Sequence, residues 1–586
     1  VLWSVALCLA LSTAAAVLAV DRGASAGISA GATGIVSGTT YFIDANGGED
    51  SNSGTSPTRP WKTLARASIV TLEPGDAVLL ARGSTWKGQT LQPMGSGTPE
   101  SPIRIGAYGA GTRPHIAPGI GVKTYAIHLV DDDGYRITDL ELSDTYGGIV
   151  AYSRGTYEHR YLWIENVFFH DITGKDTGFN TTGCATCYPA PDLRFGTGIA
   201  FGGRGDGHST VFSDITVKDS EFLRTDAGIE TVPAGTVNPG MWRNLNIVNS
   251  RFTDSFRTGA IDLYYVSGGT TSEVMVKDTG AVGMNWGIGA FQIVGSRDYT
   301  VQDSKFLDTK RPHNCRDKNG ALIDCPDGVG FDFESDNQHI TLRESTISGN
   351  AGPAILFPGN NPVWPGQQSD LVIDHNTIEN NNSTDSRGDT VFYADHDATW
   401  NPGSAGVFSN NTIRLRDQGQ DFATAPLIFD PDNLVYDQHG TLVFSGPAKP
   451  TATDDASSPA FVYRGTPGAP VQSVWQSAKC PGCSGGTTTS SDAAGATYTA
   501  FFDGTQAVLR APVGPQYGTA AISVDGSPEA YIDTYSGQAV PSRPIFVTGI
   551  LPNGAHRIHV RVTGTKNNAS TGIRIGVDAL AVAGGT

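Results

Sequence analysis

The chain has 586 residues with 73 Gly, 33 Pro and only four Met, a composition that points to a turn-rich β protein rather than a helical one. Its 58 acidic residues outweigh 40 basic ones, and the formal net charge of −18 argues against a nucleic-acid or anionic-membrane partner and mildly against a strongly anionic substrate. A chain this long exceeds what one core usually serves, so two folded units are expected.

Residues 1–19 form an uncharged apolar run ending in small residues, which reads as an export signal; an uncleaved anchor is the alternative. Export implies a secreted, extracellular protein with no membrane association after cleavage. A flexible segment over 20–40 is expected to follow. Cys8 falls within the signal, and the other six cysteines form three local couples: Cys184 with Cys187, Cys315 with Cys325 and Cys480 with Cys483. In an exported chain these read as loop-clamping disulfides, although the two CxxC couples also have the spacing of zinc ligands.

From residue 41 onward a short phrase recurs. KDSEF (218–222), VNSRF (248–252), QDSKF (302–306), RESTI (343–347), HNTI (375–378) and NNTI (410–413) share a polar turn followed by an apolar residue. Their spacing of about thirty residues predicts a solenoid of three-stranded coils. A β-propeller ranks below it, since its blades are longer and four-stranded. Asp219, Asn249, Asp303 and Glu344 recur in the phrase and are expected to be architectural.

A second phrase follows the first in each coil: AGIETV (227–232), GAIDLYY (259–265), GAFQIV (289–294), VGFDFES (329–335) and GPAILFP (352–358). Strand side chains alternate between faces, so Ile229, Ile261, Phe291, Phe331 and Ile355 are expected to stack inward. Glu230, Asp262, Gln292, Asp332 and Leu356 then point outward in successive coils, with Tyr264 and Glu334 two places further along the same face.

The segments YFIDANGGEDSNSGTSP, RPWKTLARA and LEPGDAVLLARGSTW (41–86), together with the coils, resemble the secreted right-handed parallel β-helix, pectin-lyase-like, polysaccharide-degrading enzymes. The resemblance covers 41 to about 450 and implies the fold. It leaves the reaction open, because this architecture carries glycoside hydrolases, polysaccharide lyases and phage tailspikes. The NTD, paired-Asp and Gly-His-Gly set of polygalacturonases does not occur in that order, so no catalytic residue carries across. From 458 to 586, FFDGTQAVL, AAISVDG, LPNGAHRIHVRVTG and IGVDALAV resemble a jelly-roll β-sandwich of the galactose-binding-like, carbohydrate-binding kind, which serves either to bind sugar or as a structural cap. Residues 447–457 read as the linker. The expected architecture is therefore all-β, with a catalytic β-helix over 41–446 followed by a sandwich.

Hydrolysing a glycosidic bond takes one carboxylic acid to protonate the leaving oxygen and one carboxylate to attack or to activate water. Glu230, Asp262, Asp332 and Glu334 are the candidate catalytic residues. Glu230 and Asp262, one coil apart, approach a retaining separation, and Asp262 and Asp332, two coils apart, an inverting one. Crowded carboxylates do not all ionise freely, so one is expected to keep a proton and act as the acid. Arg257, Tyr264, Trp286 and Gln292 are candidate substrate-binding residues. The insertion between Thr309 and Asp327, with Lys310, Arg311 and His313, would wall one end of the cleft. Trp61 and Trp86 read as core, and His313 and His339 lack metal-ligand spacing.

The leading expectation is a secreted glycoside hydrolase acting on a polysaccharide or oligosaccharide as a monomer, with no required cofactor. One alternative is a lyase in which carboxylates hold calcium against a uronate and Arg257, Arg297 or Lys310 removes the proton. Another is a non-catalytic glycan-binding surface protein. Asp44, Asn46 and Asp50 have the makings of a calcium loop, although such a stretch more readily forms its own Asx turns.

Overall fold

Parallel strands stacked one coil above another dominate the computed structural model. It describes residues 38–583 apart from 122–123, 156, 175–195, 257–258, 281–288, 312–327, 358–367, 385–390, 395–405, 549–550, 553 and several brief stretches between 417 and 469. The expected export signal, residues 20–37, Arg257, Trp286, His313 and the couples Cys184 with Cys187 and Cys315 with Cys325 lie outside the described residues.

Among the described residues, three sheets of 13, 13 and nine strands run the length of the solenoid. All of their ladders are parallel except the last pair of the second sheet. This is the expected right-handed parallel β-helix. A complete coil contributes one strand to each sheet, as in Phe212–Lys218, Glu221–Thr225 and Ala227–Thr236, and the coils at the two ends contribute to the first two sheets only.

The recurring phrase closes the coils by giving two adjacent positions different tasks. Asp219, Asn249, Asp303 and Glu344 adopt φ between 44° and 51°, the left-handed conformation that Asn and Asp tolerate best. They are architectural, as their recurrence implied. The next position is buried and hydrogen-bonds along the stack: Ser304 N–H donates to Ser345 Oγ (3.1 Å), Ser345 N–H to Asn376 Oδ1 (3.0 Å), Asn376 N–H to Asn411 Oδ1 (2.8 Å) and Asn411 N–H to Asn433 Oδ1 (2.9 Å). This ladder satisfies backbone N–H groups that the turn would otherwise strand in the core.

The apolar end of the phrase builds the core. Phe169, Phe222 and Phe252 stack face to face with centroids 4.5 and 4.4 Å apart, each ring contributing about 1.5–3 kcal/mol by burial. Ile229, Ile261, Phe291, Phe331 and Ile355 are fully buried, each opposite the next in the third sheet. Gly198 and Gly228 let the third sheet approach the phenylalanines: a Cβ at Gly228 would lie 2.4 Å from the Ala260 carbonyl oxygen and 2.5 Å from the Phe252 ring. Trp61 and Trp86 are core, their indole N–H groups donating to Asn52 O (3.0 Å) and Lys62 O (2.9 Å).

The C-terminal part is antiparallel. Sheets of four and five strands pack around Tyr498, Leu509, Ile522, Ile558, Val560 and Leu580, as expected for a sandwich. Cys480 and Cys483 are disulfide-bonded there. The end of the expected linker is a strand instead: Thr453–Asp455 pairs antiparallel with Ala579–Ala581 at the sheet edge. Its polar composition hid this, because an edge strand is held by backbone hydrogen bonds. Val508 and Val547 of this part pack with the β-helix core.

Candidate active site

Register in the third sheet brings the candidate acids together. Glu230 pairs with Asp262, Asp262 with Gln292, Gln292 with Asp332, and Asp332 with Leu356. The same column begins with His128, Val150 and Ala200, so the acids occupy its middle and are bounded by apolar residues on both sides. The alternation of the strands places this column on the outer face, opposite the stacked core residues.

The outer face here is not a solvated strip. Glu230 and Asp262 are each 3% exposed and Asp332 is 5% exposed. Solvated surface carboxylates have no such burial, and carboxylates withdrawn from water are unfavourable unless they are hydrogen-bonded. Glu230 Oε2 accepts from the buried Thr197 hydroxyl at 3.3 Å. The Gln292 amide donates to Asp332 Oδ2 (3.3 Å) and Glu334 Oε1 (3.5 Å), while its carbonyl accepts from the Tyr264 hydroxyl (3.2 Å). Gln292 thus ties Asp332, Glu334 and Tyr264 into one network.

Tyr264 meets the site through its hydroxyl. The residue is 8% exposed, and its backbone is held by Thr231, whose Oγ1 accepts from Tyr264 N–H (2.6 Å) and donates to Tyr264 O (3.1 Å). Any contact of this candidate substrate-binding residue with a sugar would therefore be made by its hydroxyl rather than by stacking of its buried ring.

Two of the three basic residues weighed for proton abstraction lie among the described residues, and both are engaged elsewhere. Arg297 binds the Asp336 carboxylate at 3.0 Å and the carbonyl of the same residue. Lys310 sits 3.4 Å from Asp278 and 3.6 Å from Asp254. The loop at Asp44, Asn46 and Asp50 makes its own turn: Asn46 N–H donates to Asp44 Oδ1 (2.9 Å), and Asp50 accepts from the backbone of Lys62 and Thr63 (both 2.9 Å). His339 lies between Asp298 and Asp370, at 3.1 and 3.5 Å.

Two features of the site escaped the sequence reading. Thr197 is separated from Glu230 by one coil of 33 residues, so only register reveals the contact. The second is an apolar floor beside the acids, where Tyr125, Tyr146, Val150, Ala200 and Val232 cluster. His128 stands next to it, its ring 4.8 Å from Tyr125, and burial holds its imidazole below the usual range. The strand alternation could have found His128, because the Tyr125–Val130 strand has the same grammar as the later coils.

No known family profile matches the chain. Over 108 residues, 18% of its length, the chain is 41% identical to a lacto-N-biosidase of Bifidobacterium longum subsp. longum, and the match spans 6% of that protein. Among solved structures, the GH136 lacto-N-biosidase from Eubacterium ramulus superposes with a TM-score of 0.45 at 16% identity, covering 69% of this chain and 66% of that one. An alginate lyase from Paenibacillus sp. gives a TM-score of 0.38 at 15% identity, covering 61% of this chain and 98% of that one.

Proposed function

We propose that the protein is a secreted glycoside hydrolase cutting an extracellular polysaccharide or oligosaccharide, with Glu230 and Asp262 as its reacting carboxyl pair. The observation that carries this reading is the column of three carboxylates, each no more than 5% exposed, on near-consecutive coils of one outer face.

Neighbouring strands lie about 4.8 Å apart, which suits the roughly 5–5.5 Å separation of a retaining pair. Donation from the Thr197 hydroxyl favours the ionised form of Glu230, making it the nucleophile. Asp262 then protonates the leaving oxygen as Glu230 bonds to the anomeric carbon. In the second half it takes a proton from water, whose oxygen displaces Glu230. The Asp332, Gln292 and Glu334 network offers hydroxyl partners for a neighbouring sugar, and the apolar floor offers a surface for the C–H face of a ring. No cofactor enters these steps.

The 41% identical segment supports the class, since lacto-N-biosidase is a glycoside hydrolase. The Cys480–Cys483 disulfide supports an oxidising compartment outside the cytosol. The net charge of −18 supports a neutral or lightly charged glycan.

The test incubates the purified full chain with a panel of plant, algal, microbial and host glycans, reading reducing ends, unsaturated-uronate absorbance and the first-formed anomer by NMR. Reducing ends with retained configuration are expected, and both Glu230→Gln and Asp262→Asn should abolish turnover while leaving the fold intact. An unsaturated product would make the reaction an elimination. Inversion would transfer the roles to Asp262 and Asp332, and full activity in both variants would remove the site from this face.

A further inference from the structure

A second group of chemistry-bearing side chains lies on another sheet, away from the carboxylate column. His115, Glu141 and His170 come from the strands His115–Ala117, Glu141–Thr145 and Phe168–Ile172, three successive coils of the second sheet. One ligand-type atom from each lies within 4.8 Å of the other two. Glu141 Oε1 is 3.2 Å from His170 Nε2 and 3.9 Å from His115 Nδ1.

The surrounding hydrogen bonds decide which nitrogens face the carboxylate. The Ser143 hydroxyl donates to Asp144 Oδ2 (2.7 Å), so its 2.7 Å contact with His115 Nε2 requires that nitrogen to carry the proton. The lone pair of neutral His115 is therefore on Nδ1, toward Glu141. His170 Nδ1 lies 2.7 Å from Asp171 Oδ2, an acceptor that Arg224 holds ionised with bonds of 2.6 and 2.7 Å. Neutral His170 then carries its proton on Nδ1 and turns the Nε2 lone pair on Glu141 as well. Two imidazole lone pairs and a carboxylate oxygen converge, which is repulsive unless a cation lies among them.

We propose that His115 Nδ1, Glu141 Oε1 and His170 Nε2 bind one zinc-class divalent metal ion, clasping three consecutive coils of the β-helix. Two imidazoles and one carboxylate form a donor set suited to zinc and its neighbours rather than to calcium or magnesium. With metal–ligand bonds of about 2.0–2.2 Å, tetrahedral ligands stand roughly 3.3 Å apart. The 3.2 Å between Glu141 and His170 already meets this, and a small turn of the His115 ring would bring its Nδ1 in from 3.9 Å toward Glu141. The Ser143–Asp144 pair and the Asp171 carboxylate are the outer partners that ligating histidines characteristically have. Three protein ligands leave a fourth position for water.

The test strips the tag-free full chain with chelator, adds Co2+ as a visible-absorption probe and then titrates Zn2+ by calorimetry, with thermal unfolding alongside. One equivalent is expected to bind, with tetrahedral Co2+ bands that Zn2+ displaces and a higher unfolding midpoint in the loaded protein. His170→Ala and Glu141→Gln should each weaken binding at least tenfold, and Ser143→Ala, which leaves all three ligands in place, should weaken it less. Circular dichroism and glycan-cleavage assays identify variants that remain folded. Absence of binding by the wild type at micromolar metal would overturn the site, pointing to an imidazolium paired with Glu141. Unchanged binding in folded variants would do so too, placing the metal elsewhere.

Discussion

Truncating Asn411 to alanine tests whether the buried polar ladder, rather than apolar packing alone, holds the C-terminal coils. The Asn411 side chain is fully buried; it donates to Ile373 O (2.9 Å), Ser409 O (2.8 Å) and Asn433 Oδ1 (3.0 Å) and accepts from Asn376 N (2.8 Å) and Asn376 Nδ2 (2.9 Å). Alanine removes all five. The three acceptors keep lone pairs for other partners, whereas the two Asn376 donors lose theirs in a place water does not reach. At about 1–3 kcal/mol for each stranded donor the expected loss is roughly 4 kcal/mol, large for one side chain. Urea unfolding followed by circular dichroism and by hydrogen exchange of the coils around Asn376 and Asn433 would measure it, with Asn246→Ala as a surface control. The double variant Asn376→Ala/Asn411→Ala should be much less destabilised than the sum of the singles, because the stranded amide of Asn376 is then partly removed. A loss under about 1 kcal/mol, or strict additivity, would show that water or relaxation supplies the missing partners and that the ladder is dispensable.

Gln292→Leu is expected to keep the fold while lowering kcat about tenfold or more by releasing Asp332 and Glu334 from their shared donor; Tyr264→Phe should have a smaller effect in the same direction, and equal activity in both variants would sever the network from turnover. Gly228→Ala should destabilise the protein and disturb Glu230 two residues on, since its Cβ would meet backbone at 2.4 Å; an unfolding midpoint and activity equal to wild type would contradict the close approach. Burial pushes the Asp132 carboxyl up to about 6 from an ordinary 3.8, so between those values the folded state binds more protons than the unfolded one and stability falls as pH rises. Asp132→Asn should therefore match wild type below pH 3.8, gain on it up to about pH 6 and hold that gain above; a pH-independent difference in urea midpoints would contradict the assignment.

The repeat was legible because a solenoid writes its geometry into the chain at a fixed period. A left-handed turn residue, a buried Ser or Asn and an inward apolar residue recur from coil to coil, and strand alternation then sets which neighbours point outward. Glu230, Asp262, Gln292 and Asp332 were aligned from sequence for that reason, and the register of the third sheet is the one their spacing implied. The division of labour within the turn phrase was less visible, since both of its positions are polar. Only burial separates the exposed left-handed residue from the ladder member beside it.

Other features arose from contacts between coils that no local pattern records. Thr197 reaches Glu230 from the neighbouring coil, Tyr264 turns its hydroxyl rather than its ring to the site, and Arg297 and Lys310 are drawn to carboxylates of other coils. The Thr453–Asp455 strand was read as linker because an edge strand needs no apolar alternation. His115, Glu141 and His170 follow no metal motif, as a parallel stack brings together residues a full coil apart. By itself the sequence determined the all-β solenoid, its inward core and the outward column of acids, because each depends on a period of two along a strand and of one coil along the stack. The tertiary structure alone decided which of those acids are buried, what hydrogen-bonds them and where a second ligand cluster forms, because burial and side-chain partners depend on insertions and neighbouring coils that share no fixed spacing.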